Sequence, residues 1–362
     1  MAGEPCSIPS AGTTVVSIPR TQRVIACRGG DRTAVEERPL TPPQAGELLL
    51  RVRVVGLCGT DLFKLDSGTL APGTVLGHEL VGEVAAIGDG VSGFRQGDRV
   101  AVPHHVACGQ CALCLRGATT MCAAFKENLL APGGFADHVL VRARATAHGA
   151  RKLPDHLLDE VAVFMEPAAC VLRGVHKADV DPDGVAVVQG GGGMGLLHLL
   201  VLGAVHPGLR ILVIDPIEER RSLAVTLGAN AAAAPGDDAR RALLEMSGKL
   251  GADAVFDTVG GAALLESALA LVRDAGTVVL FAHAPAGERA GFELNTLFKH
   301  ERRVLGSYSG GLEEQSRVFS MMRDGKLDPS PLVSHRLPLA EFASGVDIAR
   351  RREALKILFT PW

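Results

Sequence analysis

No charge of one sign predominates in this 362-residue chain: 37 Lys and Arg stand against 40 Asp and Glu, for a net charge of −3. Without a basic excess nothing favours a phosphate backbone, so nucleic acid is excluded as the expected partner. There is no run of about 18 apolar residues, so no membrane span is expected. The first twenty residues lack a basic stretch leading into an apolar one, and Pro5, Pro9 and Pro19 interrupt them, so they do not resemble a signal peptide. Aromatic residues are scarce at 4%, whereas glycine is abundant at 43 residues without a collagen period, which points to tight turns and close backbone approaches. Hydrophobic residues at 47% supply enough apolar mass to exclude a disordered chain. Eight cysteines in a chain with no export signal suggest a reducing, cytoplasmic setting, where clustered thiols bind metal more often than they pair.

Length predicts about two domains. Residues 1–20, rich in Pro, Ser, Thr and Gly, are expected to be a loose extension. From Arg23 to Val100 short strands alternate with Gly and Pro turns: Glu47–Val55, Leu80–Ile87 and Arg99–Pro103. Near residue 170 the pattern changes. Six apolar strands are expected at Val185–Gln189, Arg210–Asp215, Ala231–Ala234, Ala254–Asp257, Thr277–Ala282 and Arg303–Ser307. Helical stretches lie between them at Met194–Val205, Glu218–Leu227, Ala239–Ser247 and Ala262–Val272. Near-continuous apolar strands with intervening helices imply a doubly wound parallel sheet. The segment Leu312–Trp362, with two helices and a strand near Lys356–Phe359, is short for a domain and is expected to return to the first one.

Cys108, Cys111, Cys114 and Cys122 are spaced C-x2-C-x2-C-x7-C. Four thiolates so close in sequence can enclose one tetrahedral zinc. A redox pair would explain two of them, not four. With every position filled by protein, such a site is structural. A second constellation joins Cys58 to His78 and Glu79 twenty residues on. A thiolate, an imidazole and a carboxylate suit zinc with an open position.

After the strand Val185–Gln189 comes Gly190-Gly191-Gly192-Gly193-Met194-Gly195. Read as G-x-G-x-x-G, Gly190 allows the tight turn, Gly192 lets backbone approach a pyrophosphate and Gly195 packs helix on sheet. Gly193 and Met194 open the helix whose N-terminal N–H groups would face the phosphates. Asp215, twenty residues beyond Gly195, is placed to accept from both adenosine ribose hydroxyls and would repel a 2′-phosphate, favouring NAD over NADP. Arg220 and Arg221 are the counter-argument, because a nearby arginine can accommodate that phosphate; otherwise they belong to a solvated helix face. Val259 and Phe281 should lie at the carboxyl edge of the sheet near the nicotinamide. His283 there either touches substrate or cofactor or faces solvent, and Tyr308 either lines the cleft or packs at the domain boundary.

These motifs together resemble the zinc-dependent medium-chain dehydrogenase family. The residues that carry the likeness are Gly77-His78-Glu79-x2-Gly82-x5-Gly88-x2-Val91, Gly97-Asp98-Arg99-Val100, the four-cysteine lobe, Gly133-Gly134-Phe135-Ala136 and Glu166-Pro167. They run in the family's order from about residue 22 to residue 360. The resemblance implies an α/β protein with a discontinuous GroES-like β-barrel catalytic domain, residues 21–168 and 308–362, carrying a zinc lobe at 104–124. A Rossmann domain would occupy 169–307. By resemblance Cys58 and His78 are catalytic zinc ligands, and Glu166 matches the acidic position of the sorbitol and threonine dehydrogenase branch. Glu79 is at a position that ligates or exchanges with water, so which carboxylate binds stays open. Thr60 matches the hydroxyl that starts proton removal, and Asp61 the carboxylate that orients the zinc histidine.

One departure concerns Phe63, which stands where polyol and threonine dehydrogenases usually have a proton-carrying histidine. The family reading implies two zinc ions per chain, an NAD-linked secondary alcohol dehydrogenase for a polyol, sugar, cyclitol or amino-alcohol, and a homodimer or homotetramer. A ketone or aldehyde reductase would use the same residues, and a non-catalytic nucleotide-binding relative would be expected to have lost zinc ligands. Cys6, Cys27 and Cys170 are left without a metal role, Cys170 as a small core residue near the cleft.

Overall fold

The computed structural model describes residues 18–362. Most of the proposed 1–20 extension, and Cys6, therefore lie outside the described residues. Among the described residues no helix is long and apolar enough to cross a membrane.

Six parallel strands form one sheet, in the spatial order Ala231–Ala233, Arg210–Ile214, Val185–Gln189, Ala252–Asp257, Val272–Leu280 and Arg303–Gly306. Counting these strands along the chain, the order is 3-2-1-4-5-6, that of a doubly wound nucleotide fold. Val185–Gln189 is buried along its whole length because helices cover both faces, which is why it reads as an unbroken apolar run. Its register matters for function. Ile214, Gln189, Asp257, Leu280 and Gly306 pair side by side, so the sheet ends as one straight edge. Asp215, Gly190, Val259 and Phe281 lie on the loops just beyond that edge, beside the point where strand order reverses.

The second sheet is mixed and mostly antiparallel. Leu48–Gly56 is its hub, pairing with Glu79–Ile87, His138–Val141 and the C-terminal strand Lys356–Thr360. Gly56 lies opposite Glu79, and Leu358 lies on its other side. One strand end thereby gathers Cys58, His78, Glu79 and Lys356. Its core includes the fully buried Leu48, Leu50, Val55 and Phe359. The last strand does return to this sheet, as the C-terminal pattern suggested.

Several elements differ from the sequence reading. The strand expected over Arg99–Pro103 stops at Ala101, consistent with Pro103, which has no N–H to donate. The helix Ala262–Leu271 gives way one residue early to a strand that begins at Val272 rather than Thr277. Strands at Thr33–Pro39 and Val333–Pro338 were not anticipated; both are only half-buried and lack a clean apolar alternation. A helix at Met165–Ala178 was missed as well. Its Pro167 falls in the first turn, where a proline is tolerated.

Candidate active site

Cys58 leaves the hub strand in an extended conformation and caps the helix Gly59–Asp66. Its Sγ accepts from the Thr60 N–H at 3.4 Å, and Asp61 Oδ2 accepts from the Cys58 N–H at 3.2 Å. The cap thus fixes the thiol and the fully buried Asp61 as one unit. Asp61 Oδ1 lies 3.3 Å from His78 Nδ1, which leaves Nε2 of that imidazole for a metal. Burial alone would lower His78, but the charges of Asp61 and Cys58 outweigh it and hold the ring well above its ordinary value. The same negative charges would favour a dication there.

Glu79 is 1% exposed. Its Oε2 pairs with the ammonium of Lys356, which also donates to the Leu57 carbonyl at 3.3 Å. Its Oε1 has no hydrogen-bond partner. Gly56 is required here, since a Cβ would press into this pair. Glu166 begins the helix Met165–Ala178 and accepts from the Cys170 thiol at 3.4 Å. Burial raises the Glu166 carboxyl, the nearby His78 opposing and Glu79 adding to it.

Ligand atoms of Cys58, His78 and Glu79 all lie within 4.8 Å of one another. Those of His78, Glu166 and His104 do so too. Cys58 and Glu166 are thereby linked through His78. His104 was missed in the sequence, where the only signal was a His-His pair at the start of the cysteine lobe. The donor chemistry and the orphaned, buried Glu79 oxygen fit zinc.

In the lobe the thiols of Cys111 and Cys114 are 3.5 Å apart, those of Cys122 and Cys108 3.6 Å and those of Cys108 and Cys114 4.0 Å. Zinc–sulfur bonds of about 2.3 Å in a tetrahedron set sulfurs about 3.8 Å apart, whereas a disulfide needs about 2.05 Å. The spacing fits one zinc and no disulfide.

At the nucleotide edge Gly190 has φ +100°, and a Cβ there would meet Val259 Cγ2 at 2.7 Å. A Cβ on Gly195 would overlap the Gly190 carbonyl oxygen, and one on Gly193 would overlap that of Leu355. At Gly192 the nearest atom is Arg220 Nη1 at 4.0 Å, which leaves room for a phosphate. The helix Gly193–Val205 follows, with Met194 in its first turn. Asp215, 3% exposed, accepts from the Gly191 N–H at 2.7 Å and the Ile217 N–H at 2.8 Å. Arg220 is no solvated surface residue: its Nη1 lies 3.8 Å from Asp215 Oδ2 and its Nη2 donates to the Arg352 carbonyl. Arg221 folds back onto the Asp215 and Pro216 carbonyls.

Val259 is 53% exposed at the same edge, and Phe281 packs edge-on against buried His198. His283 is exposed and stacks on Phe63, with ring centroids 5.0 Å apart and planes 7° from parallel. The aromatic that replaces the expected histidine thus meets a histidine from the nucleotide fold. Tyr308 is 48% exposed, not packed.

Known proteins agree with this architecture. Residues 44–155 match the alcohol dehydrogenase GroES-like domain and residues 193–324 the zinc-binding dehydrogenase domain. The chain belongs to the zinc-dependent medium-chain alcohol dehydrogenase family. It is 34% identical to D-altritol 5-dehydrogenase of Agrobacterium fabrum, over 86% of this chain and 90% of that protein. It is 28% identical to sorbitol dehydrogenase of Halalkalibacterium halodurans, over 92% and 97%. The structure of an alcohol dehydrogenase from Thermus sp. ATN1 superposes with a TM-score of 0.83 at 30% identity, covering 94% of this chain and all of that one. The protein is therefore an NAD(P)-linked enzyme of the zinc alcohol dehydrogenase type.

Proposed function

We propose that the enzyme interconverts a secondary alcohol of a polyol or sugar-like substrate and the corresponding ketone, with NAD as the hydride partner. The observation that supports this most is that Cys58, His78 and Glu79 form one close set of ligand atoms, with Glu166 in a second set that shares His78. Likeness to dehydrogenases named for altritol and sorbitol supports the polyol class. In this reading the catalytic domain comprises residues 21–168 and 308–362, and the nucleotide domain 169–307.

Cys58 and His78 would hold a catalytic zinc, with Glu79 or Glu166 as the third protein ligand and Asp61 orienting His78. When bound, zinc supplies Lewis acidity toward the substrate oxygen and NAD supplies the hydride acceptor. Thr60 Oγ1 would accept the proton of the substrate hydroxyl while passing its own proton onward. Phe63 cannot pass that proton on, so its route to solvent runs through water, ribose hydroxyls or another side chain, or the substrate supplies its own base. Lys356 balances one oxygen of Glu79, limiting negative charge next to the reacting carbon. Gly190, Gly192, Gly193, Met194 and Gly195 cradle the pyrophosphate, Asp215 receives the ribose, and Val259, Phe281 and His283 border the nicotinamide. Cys108, Cys111, Cys114 and Cys122 hold a second, structural zinc. All seven described cysteines are free, which suits a reducing cytoplasm. The edge strand Arg303–Gly306 joins two copies in a homodimer or a larger homo-oligomer.

The test is a panel of polyols, cyclitols and amino alcohols scored by NADH and NADPH appearance, with Cys58→Ser in parallel. Turnover on a polyol that Cys58→Ser abolishes, with NAD still bound, is expected. Undiminished turnover by Cys58→Ser would refute the catalytic-zinc assignment.

A further inference from the structure

We infer that His78, His104 and Glu166 form a second three-ligand zinc station that overlaps the Cys58–His78–Glu79 set, so that one ion can be held in the pocket with or without the thiolate. The inference rests on the proposed zinc site and extends it to a residue outside the family motifs. The donor atoms of the three residues lie within 4.8 Å of one another, the same closeness as in the thiolate set. His104 Nδ1 lies 4.0 Å from Glu166 Oε1, too far for a hydrogen bond and close enough for both to reach one ion. That nitrogen is buried and has no hydrogen-bond partner. A buried ring nitrogen left unpaired beside a carboxylate is costly unless something between them uses both.

His104 is also held in place. Its carbonyl accepts from the N–H of buried Leu129 at 2.9 Å, fixing the main chain. Its ring centroid lies 4.6 Å from that of His78 and 3.7 Å from that of His105, which in turn lies 5.1 Å from that of Phe125. The ring therefore cannot easily swing away from the pocket. Two imidazoles and one carboxylate are a sufficient zinc set elsewhere in protein chemistry. Because His78 belongs to both sets and its Nδ1 is held by Asp61, the shared ligand keeps its aim whichever station is used. Leaving the thiolate would exchange a soft anionic donor for a neutral one and leave a more electrophilic ion.

The experiment is zinc analysis of the full-length protein after gel filtration, for wild type, Cys58→Ala, Cys58→Ser, His104→Gln and Cys58→Ala/His104→Gln. Wild type and both single Cys58 variants should retain about two zinc ions per chain, and the double variant about one, held by the cysteine lobe. A Cys58 variant with about one ion, beside a wild type with two, would overturn the second station and leave the proposed site intact. A double variant that keeps two ions would overturn the part given to His104. A wild type with a single ion would overturn both readings. A second readout keeps Cys58 in place: His104→Gln should release its active-site zinc to a chromogenic chelator at least about tenfold faster than wild type. An unchanged release rate counts against the station.

Discussion

Asp215 divides its carboxylate between the Gly191 and Ile217 amides, with Arg220 alongside. If Asp215 also receives the ribose, as proposed, the same carboxylate would serve both turn geometry and cofactor choice. Asp215→Ala should raise the KM for NAD more than that for NADP, shifting the ratio by about tenfold, or 1.4 kcal/mol, in favour of NADP. An unchanged ratio in initial-rate measurements would refute the ribose assignment. His198 makes a prediction about acid stability. Burial pushes its imidazole from 6.5 down to about 4, with the Met194 carbonyl opposing. A histidine whose folded value is depressed binds its proton more readily when unfolded, so stability falls as pH drops from about 6.5 to 4. The full loss is about 3 kcal/mol, and His198→Leu should flatten that limb in urea melts followed across this pH range. The roles expected of Cys58 and His78 rest on the motifs that carry the family resemblance, and that of Asp215 on its offset from the glycine turn, which is why they could be named from the sequence. His104 and Lys356 could not. Their chemistry exists only where distant strands converge, 26 and 278 residues from His78 along the chain.

The helix Gly193–Val205 carries a paired test at the level of an element. Gly195 faces the Gly190 carbonyl with no room for a Cβ, while Gly203, two turns on, is exposed with nothing within 4 Å. Gly195→Ala should destabilise the protein by about 1–3 kcal/mol and weaken NAD binding. Gly203→Ala should stabilise it by about 0.4–1 kcal/mol with no change in binding. Thermal unfolding with and without NAD separates the two; equal effects would contradict the packing role of Gly195. The central parallel strands Val185–Gln189, Arg210–Ile214 and Ala252–Asp257 were legible because they are buried almost throughout and read as apolar blocks. The half-exposed strands Thr33–Pro39 and Val333–Pro338 were not, since their pairing partners, not their own pattern, make them strands.

At the scale of the whole molecule, Arg303–Gly306 ends the parallel sheet with one side unpaired among the described strands. Nearby, Leu294 and Phe298 are 79% and 80% exposed. Exposed apolar groups beside an open strand are where the proposed association of two copies would bury surface. Leu294→Lys with Phe298→Lys should lower the mass seen by light scattering toward 37.8 kDa while the fold persists. A wild type already at that mass would refute the interface. The return of the C-terminus was visible as a segment too short to stand alone; what it touches was not. Within Arg352–Lys356 the Arg352 carbonyl holds Arg220 beside Asp215, the Leu355 carbonyl abuts Gly193, and Lys356 grips Glu79. Five residues can span at most about 18 Å. This stretch is therefore a spacer of set length between the glycine-rich turn and the Glu79 pocket. Inserting or deleting one residue would put both sites out of step at once, so natural variation in loop length should be tolerated almost anywhere on this surface before it is tolerated here.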